Sequence, residues 1–195
     1  MTPETRAAAD RVILDVANVK YLAMTLGKGD LDRRCEATGW TIRQTIGHLA
    51  ASLQVYGEAL PRMAAAVGAA EEPFDWDVLN AETARRTAAT PLPALLDALS
   101  RGRDATIEAL LALSEQDLAQ PVTASVPLRA VIAAWMTHLS DHAIDFADAL
   151  PLARFDPMLL NWVLHADYST SAPRLARQQQ LMAEVRVRLA TMEEE

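Results

Sequence analysis

The run Trp135-Met-Thr-His138-Leu-Ser-Asp141-His142-Ala-Ile-Asp145-Phe146 decides how the rest of the chain is read. Around it, apolar residues recur at Leu128, Val131, Ile132, Trp135, Leu139, Phe146 and Leu150, three and four apart. That is the repeat of a helix with one buried stripe. Carried through its gaps, the stripe passes over His138 and His142. Side chains at i and i+4 lie one above the other on a helix, close enough to share one small ion. The chain has only 4 histidines, and two of them fall on this seam. Burying an imidazole is costly unless its nitrogens find partners. A metal ion is one such partner; backbone groups or water are the plainer alternative.

Outward from this helix, predicted over 128–150, the same periodicity gives three more long helices. Residues 5–26 carry a stripe at Val12, Val16, Val19, Ala23 and Leu26, stopped by Gly27-Lys-Gly29. Residues 27–40 connect to a second helix over 41–67. Its start, Thr41-Ile-Arg-Gln44, has the form of a capping box, with Thr41 as N-cap and Gln44 reaching back. Ile42, Ile46, Leu49, Leu53, Tyr56, Leu60, Met63 and Val67 form its buried face. The third helix, 91–113, starts at Thr90-Pro91, read as an N-cap followed by proline at the first helical position. Between the second and third lies a long connection, 68–90, with a short helix over 77–87 and aromatics Phe74 and Trp76 expected to pack back on the bundle. Helices in bundles are normally joined by a few residues. A crossover that lets the two flanking helices run parallel would account for the length.

Ser114-Glu-Gln-Asp117 is expected to cap a single turn. Beyond Pro151, a short apolar piece at 157–166 and an amphipathic helix at 173–192 complete the chain. The latter has Leu175, Met182, Val185, Leu189 and Met192 on its apolar side. The fold class is therefore all-α, a four-helix bundle with extra C-terminal helices. With no repeat and no low-complexity linker, residues 1–195 read as one domain, with a core at 5–150 and a helical extension at 151–195.

Composition narrows the function. Hydrophobic residues make up 51% of 195, enough for a real core. The net charge of −8 without a basic cluster argues against nucleic acid as a partner. The apolar runs are too short to span a bilayer, so no membrane role is expected. No apolar segment of a signal peptide stands at the N-terminus. One cysteine, Cys35, excludes an intrachain disulfide and suits a reducing cytoplasm.

A third histidine, His48, sits early in the second helix. If that helix packs on 128–150, His48 meets His138 and His142. Three protein ligands with an open position is the make-up of a catalytic zinc site, and neutral imidazoles also suit nickel, copper and iron. Asp141 and Asp145 each follow a histidine of the pair by three residues, so either can accept the ring N–H that faces away from a metal. Arg43 and Arg129 are candidates to hold an anionic substrate. Trp40 and Trp135 are candidates to line a pocket. Cys35 has no histidine near it in sequence and reads as an inert buried residue. His165 reads as a packing or surface histidine, with a fourth-ligand role as the alternative.

Gly39-Trp-Thr-Ile-Arg-Gln-Thr-Ile-Gly-His48-Leu-Ala, followed by the pair His138 and His142, resembles the DinB-like superfamily, which includes the N-terminal domain of mycothiol-dependent maleylpyruvate isomerases. The likeness spans roughly residues 5–150 and rests on short motifs in the right order. It implies an up-down-down-up four-helix bundle and a divalent metal, zinc or nickel, on His48, His138 and His142. In the isomerase branch the first residue of the later pair is glutamate, so His138 places this chain nearer the three-histidine branch.

The resemblance leaves the substrate open. The first expectation is a metal-dependent transferase acting on a low-molecular-weight thiol and an electrophilic co-substrate, with metal-dependent hydrolysis as a variant. The alternative is a non-catalytic helical module with a structural metal or none. Arg174, Arg177, Arg186 and Arg188 around the C-terminal helix suggest a homodimer contact.

Overall fold

The computed structural model describes residues 1–27, 29–35, 38–66, 76–122, 126–150, 157–166, 168 and 171–192. Among them all regular structure is helical: α1 (Pro3–Thr25), α2 (Ile42–Ala65), α3 (Trp76–Thr87), α4 (Leu92–Ala112), α5 (Glu115–Ala119), α6 (Leu128–Ala149), α7 (Pro157–His165) and α8 (Ala172–Met192). Isolated bridges pair Arg34 with Thr41 and Pro121 with Pro127, and the described residues hold no strand. No described helix is long and apolar enough to cross a membrane.

Local chemistry sets the helix starts. Thr2 caps α1 through a reciprocal pair with Thr5, with Pro3 at the first position. Thr41 and Gln44 form the expected capping box at α2, and Ser114 with Asp117 forms another at α5. The start of α4 differs from the sequence expectation. Pro91 itself is the N-cap residue, and no side chain caps the helix. The Thr90 hydroxyl instead donates to the Arg86 carbonyl (3.0 Å), closing the last turn of α3. Only Ala88 and Ala89 separate the end of α3 at Thr87 from Thr90, so the hydroxyl is claimed by the helix behind it.

Four long helices form a ring in which α1 packs on α4, α4 on α2, α2 on α6 and α6 on α1. Directions follow from paired residues. Ala50 and Leu53 of α2 meet Gly102, and Gly57 meets Ala105 and Thr106, so α2 and α4 run parallel. Glu4 pairs with Arg129, and Arg11 and Asp15 meet Ser140, so α1 and α6 also run parallel. His48 meets His138 and Tyr56 meets Trp135, so α2 and α6 are antiparallel. The result is up-down-down-up, and the long crossover through α3 is what permits the parallel α2–α4 pair. Phe74, the Trp76 side chain and Val67 lie outside the described residues.

Contact between α2 and α4 is close enough to need glycine. A Cβ on Gly102 would stand 2.9 Å from Leu53 Cβ, 3.0 Å from the Ala50 carbonyl oxygen and 3.1 Å from the Gln54 nitrogen. Two of those are backbone atoms and cannot swing aside. Gly102→Val is expected to lower stability by about 1–3 kcal/mol, the usual cost of overpacking, read from the urea midpoint.

The second half of α6 departs from a single buried stripe. Every residue from Leu139 to Ala147 is buried, because α7 and α8 pack on the outer side of this helix. One polar cluster joins these layers. Asp15 is buried and receives hydrogen bonds from Trp162 Nε1 (2.9 Å) of α7, Ser140 Oγ (2.9 Å) of α6 and Arg11 Nε (3.0 Å). Burial raises its carboxyl above the usual range, with Arg11 opposing. On α8 the inward set is Arg174, Gln178 and Leu181, while Leu175 is exposed. Carboxylates on α6 draw Arg174 and Arg177 inward, and Met182 and Val185 of the expected apolar side are half-buried. Side chains of Leu189 and Met192 lie outside the described residues.

Candidate metal centre

The site begins at the turn before α2. Gly39 adopts φ +69°, a left-handed conformation that glycine takes freely. Around it, the Gly39 N–H donates to the Cys35 carbonyl (2.8 Å) and the Cys35 N–H to the Trp40 carbonyl (2.9 Å). That turn delivers Trp40 to the mouth of α2, where its ring centroid lies 5.0 Å from that of His48. The capping box then fixes the first turn of α2, and His48 points toward α6.

Three imidazoles converge. His48 Nε2 lies 3.0 Å from His138 Nε2, and His142 Nε2 lies 3.2 Å from the same atom. His48 and His142 are buried and His138 is half-buried. A nitrogen of an imidazole ring has either one N–H or one lone pair in the ring plane. His138 Nε2 therefore satisfies one of these two neighbours and leaves the other unsatisfied. A cation at the centre would satisfy all three at once. Tetrahedral coordination at zinc–nitrogen distances of 2.0–2.1 Å requires ligand atoms about 3.3 Å apart. The two spacings to His138 Nε2 are within a few tenths of an ångström of that, and all three ligand atoms lie within 4.8 Å of one another, so the three residues fit a divalent ion.

Two of the opposite nitrogens are held, by side chains from two different helices. His142 Nδ1 lies 2.6 Å from Asp145 Oδ2 on α6, and Nδ1–H donating to that carboxylate leaves Nε2 free for a metal. His138 Nδ1 lies 2.8 Å from the Tyr56 hydroxyl on α2. Asn80 of α3 stands beside His48; neither His48 Nδ1 nor Asn80 Oδ1 completes a hydrogen bond among the described residues.

Burial holds the His48 and His138 rings neutral. Burial, with the other two histidines adding to it, lowers His48 to about 2. Burial, followed by His142, lowers His138 to about 3. For Asp145 burial pushes upward, but the hydrogen bond and charge of His142, with Arg174, outweigh it and hold the carboxyl below its ordinary value. Burial pushes the Tyr56 phenol well up, so it stays protonated.

A cavity of about 310 Å³ opens on the triad, lined by His48, Tyr56, Asn80, Trp135 and His138. Trp135 stacks on Tyr56 with centroids 4.2 Å apart and planes 7° from parallel. The sequence candidates divide accordingly. Trp135 lines the cavity, whereas Trp40 stands against His48 and is not one of the lining residues. Arg43 does not line the cavity: it bonds Asp32 (3.4 Å) and the Thr90 carbonyl (2.9 Å). Arg129 lies at another face, paired with Glu4 (2.9 Å) and Glu115 (3.6 Å). Asp145 meets a ring nitrogen, whereas Asp141 meets Arg174 (3.3 Å) because Tyr56 already occupies His138 Nδ1. Cys35 Sγ is buried against Asp148 Oδ2 (3.5 Å) and Asp145 Oδ1 (3.7 Å). His165 is exposed and borders a different cavity with Arg11 and Met136.

Sequence reading missed Tyr56, Asn80 and Arg174 as members of the site. Tyr56 carried a signal of a kind, a hydroxyl on an otherwise apolar stripe that needs a partner when buried. Asn80 and Arg174 had none, since both arrive from remote segments.

An up-down-down-up helical bundle with a buried three-histidine cluster between antiparallel helices defines the class. The sequence model of the DinB superfamily matches residues 16–145, and this chain belongs to that superfamily. No curated protein matches its sequence. Among solved structures it is similar to the mycothiol-dependent maleylpyruvate isomerase, with TM-score 0.61 and 13% identity over 84% of this chain and 70% of that one. It is also similar to YfiT from Bacillus subtilis, described as a probable metal-dependent hydrolase with an unusual four-helix bundle topology, with TM-score 0.62 and 18% identity over 76% of this chain and 86% of that one. At these identities the likeness is one of fold.

Proposed function

We propose that this chain is a divalent-metal-dependent enzyme that transfers the sulfur of a low-molecular-weight thiol to an electrophilic carbon, with His48, His138 and His142 as metal ligands. The convergence of three Nε2 atoms beside a cavity carries this reading. When bound, a zinc or nickel ion supplies acidification, lowering the pKa of a thiol or water in its open position.

The remaining roles belong to the chain. Three neutral imidazoles leave the charge of the ion undiminished. Asp145 and Tyr56 fix two of the rings, which keeps the ligand atoms aimed at one point. Trp135, held flat on Tyr56, offers an apolar wall for the electrophile. In the transfer the sulfur bonds to carbon, the thiol proton passes to solvent, and the leaving group departs with its electron pair.

A structural ion would be closed by a fourth protein ligand, often a thiolate. Cys35 and His165, the two candidates in sequence, both lie outside the cluster of three, which favours an open position. The fold shared with the mycothiol-dependent isomerase supports the thiol reading. Hydrolysis is the second reading, supported by the fold shared with a probable metal-dependent hydrolase. We further propose a cytoplasmic homodimer; native mass measurement checks the dimer.

Zinc- or nickel-loaded protein should conjugate mycothiol or bacillithiol to monochlorobimane faster than metal-stripped protein, read by fluorescence. Metal-dependent release of p-nitrophenol from an aryl ester, with no thiol conjugation, would select hydrolysis. Neither activity with a fully loaded protein would leave the non-catalytic module.

A further inference from the structure

We infer that α8, which lies outside the segment matched to the superfamily, completes the metal centre, with Arg174 as the positioning residue for His142; this rests on the metal-binding reading. The path is short. Arg174 Nη2 lies 3.4 Å from Asp145 Oδ2, the same oxygen that lies 2.6 Å from His142 Nδ1. Its other terminal nitrogen, Nη1, lies 3.3 Å from Asp141 Oδ2. One guanidinium thus spans two carboxylates a single turn apart on α6. Their side chains are 7% and 0% exposed, and that of Arg174 only 22%.

Two buried carboxylates one turn apart repel each other, and the repulsion is strong away from water. Without the fork between them, the cheapest relief is for one side chain to turn away. Asp145 is the one whose rotation matters, because His142 takes its ring orientation from that oxygen. A planar fork holds two carboxylates at once, which a point charge does not.

The rest of α8 is anchored independently. Arg177 Nε bonds Asp148 Oδ1 at 2.7 Å, and Gln178 Nε2 donates to the Val163 carbonyl at 2.8 Å. Loss of Arg174 therefore leaves the helix docked and changes what Asp141 and Asp145 feel.

The test is zinc affinity of the full chain, measured by chelator competition, with helicity checked by circular dichroism. Arg174→Gln should bind zinc about 10–100-fold more weakly than wild type, the range seen when an outer partner of a ligand is lost. Arg177→Gln, which loosens the same helix away from Asp145, should bind near wild type. The cobalt-substituted Arg174→Gln protein should show an altered ligand-field spectrum, which a remote structural change would not produce. If Arg174→Gln does not fold, Arg174→Lys replaces it, because one ammonium does not span both carboxylates and affinity should still fall. Wild-type zinc affinity in the Arg174 variant, or equal weakening by Arg177→Gln, would overturn the inference. Failure of wild type to bind any divalent ion would instead sink the metal reading itself.

Discussion

Replacing His142 with alanine should abolish stoichiometric metal binding and any metal-dependent activity, while helical content stays at the wild-type level. The loss is expected to exceed the roughly 100-fold that marks removal of an outer partner, because a direct ligand is gone. Only His48 and His138 would then face the ion. The fold should persist for a specific reason. Asp145, left without the ring, keeps Arg174 at 3.4 Å and so is not stranded as a lone buried charge. The missing imidazole leaves a gap within the α2–α6 seam, with a stability cost of about 1–3 kcal/mol, ordinary for a buried truncation. Elemental analysis, activity and far-ultraviolet circular dichroism on one preparation check this. Full activity in metal-free His142→Ala protein would end the catalytic proposal, and global unfolding would point to a structural ion.

The second large effect is acid sensitivity. Unfolded histidine titrates near 6.5, whereas burial lowers His48 to about 2 and His138 to about 3 in the fold. A depressed folded value means that the unfolded chain binds more protons below pH 6.5. Stability is then fully present above pH 6.5 and is lost as pH falls toward 3, with little further loss from these groups below about 2. Within that window each histidine removes up to about 1.4 kcal/mol per pH unit. A bound ion deepens the effect, since protons and metal compete for the same nitrogens. The thermal midpoint of the metal-free protein should fall steadily between pH 6.5 and 4, and His48→Gln, which takes up no proton there, should flatten the slope. A midpoint constant over that range would contradict the buried, neutral state of His48 and His138.

Much of this was legible in the sequence because the signals are local. A three-four apolar repeat depends only on the residues of one segment, and each of the long helices lies within a few residues of its expected span. Capping at Thr41 and Ser114 is a contact between residues three apart, so spacing alone reveals it. Thr90 shows where locality misleads. The pattern of a cap was present, but the preceding helix ended close enough to take the hydroxyl. On α8, Leu175 of the expected apolar side is exposed, while Arg174 beside it turns to the carboxylates of α6.

The chain by itself determined that two imidazoles share a face of α6 and that a third stands near the start of α2, because helical periodicity fixes direction within a segment. Only the tertiary structure decided that α2 and α6 lie side by side and antiparallel, bringing His48 Nε2 to 3.0 Å from His138 Nε2. It also decided what stands behind the rings: Tyr56 at His138, Asp145 rather than Asp141 at a ring nitrogen, and Arg174 across both carboxylates. These contacts join segments up to 82 residues apart at the Tyr56–His138 bond. Spacing within a helix carries no information about which remote donor reaches a buried acceptor first, and that competition is resolved only when the helices pack.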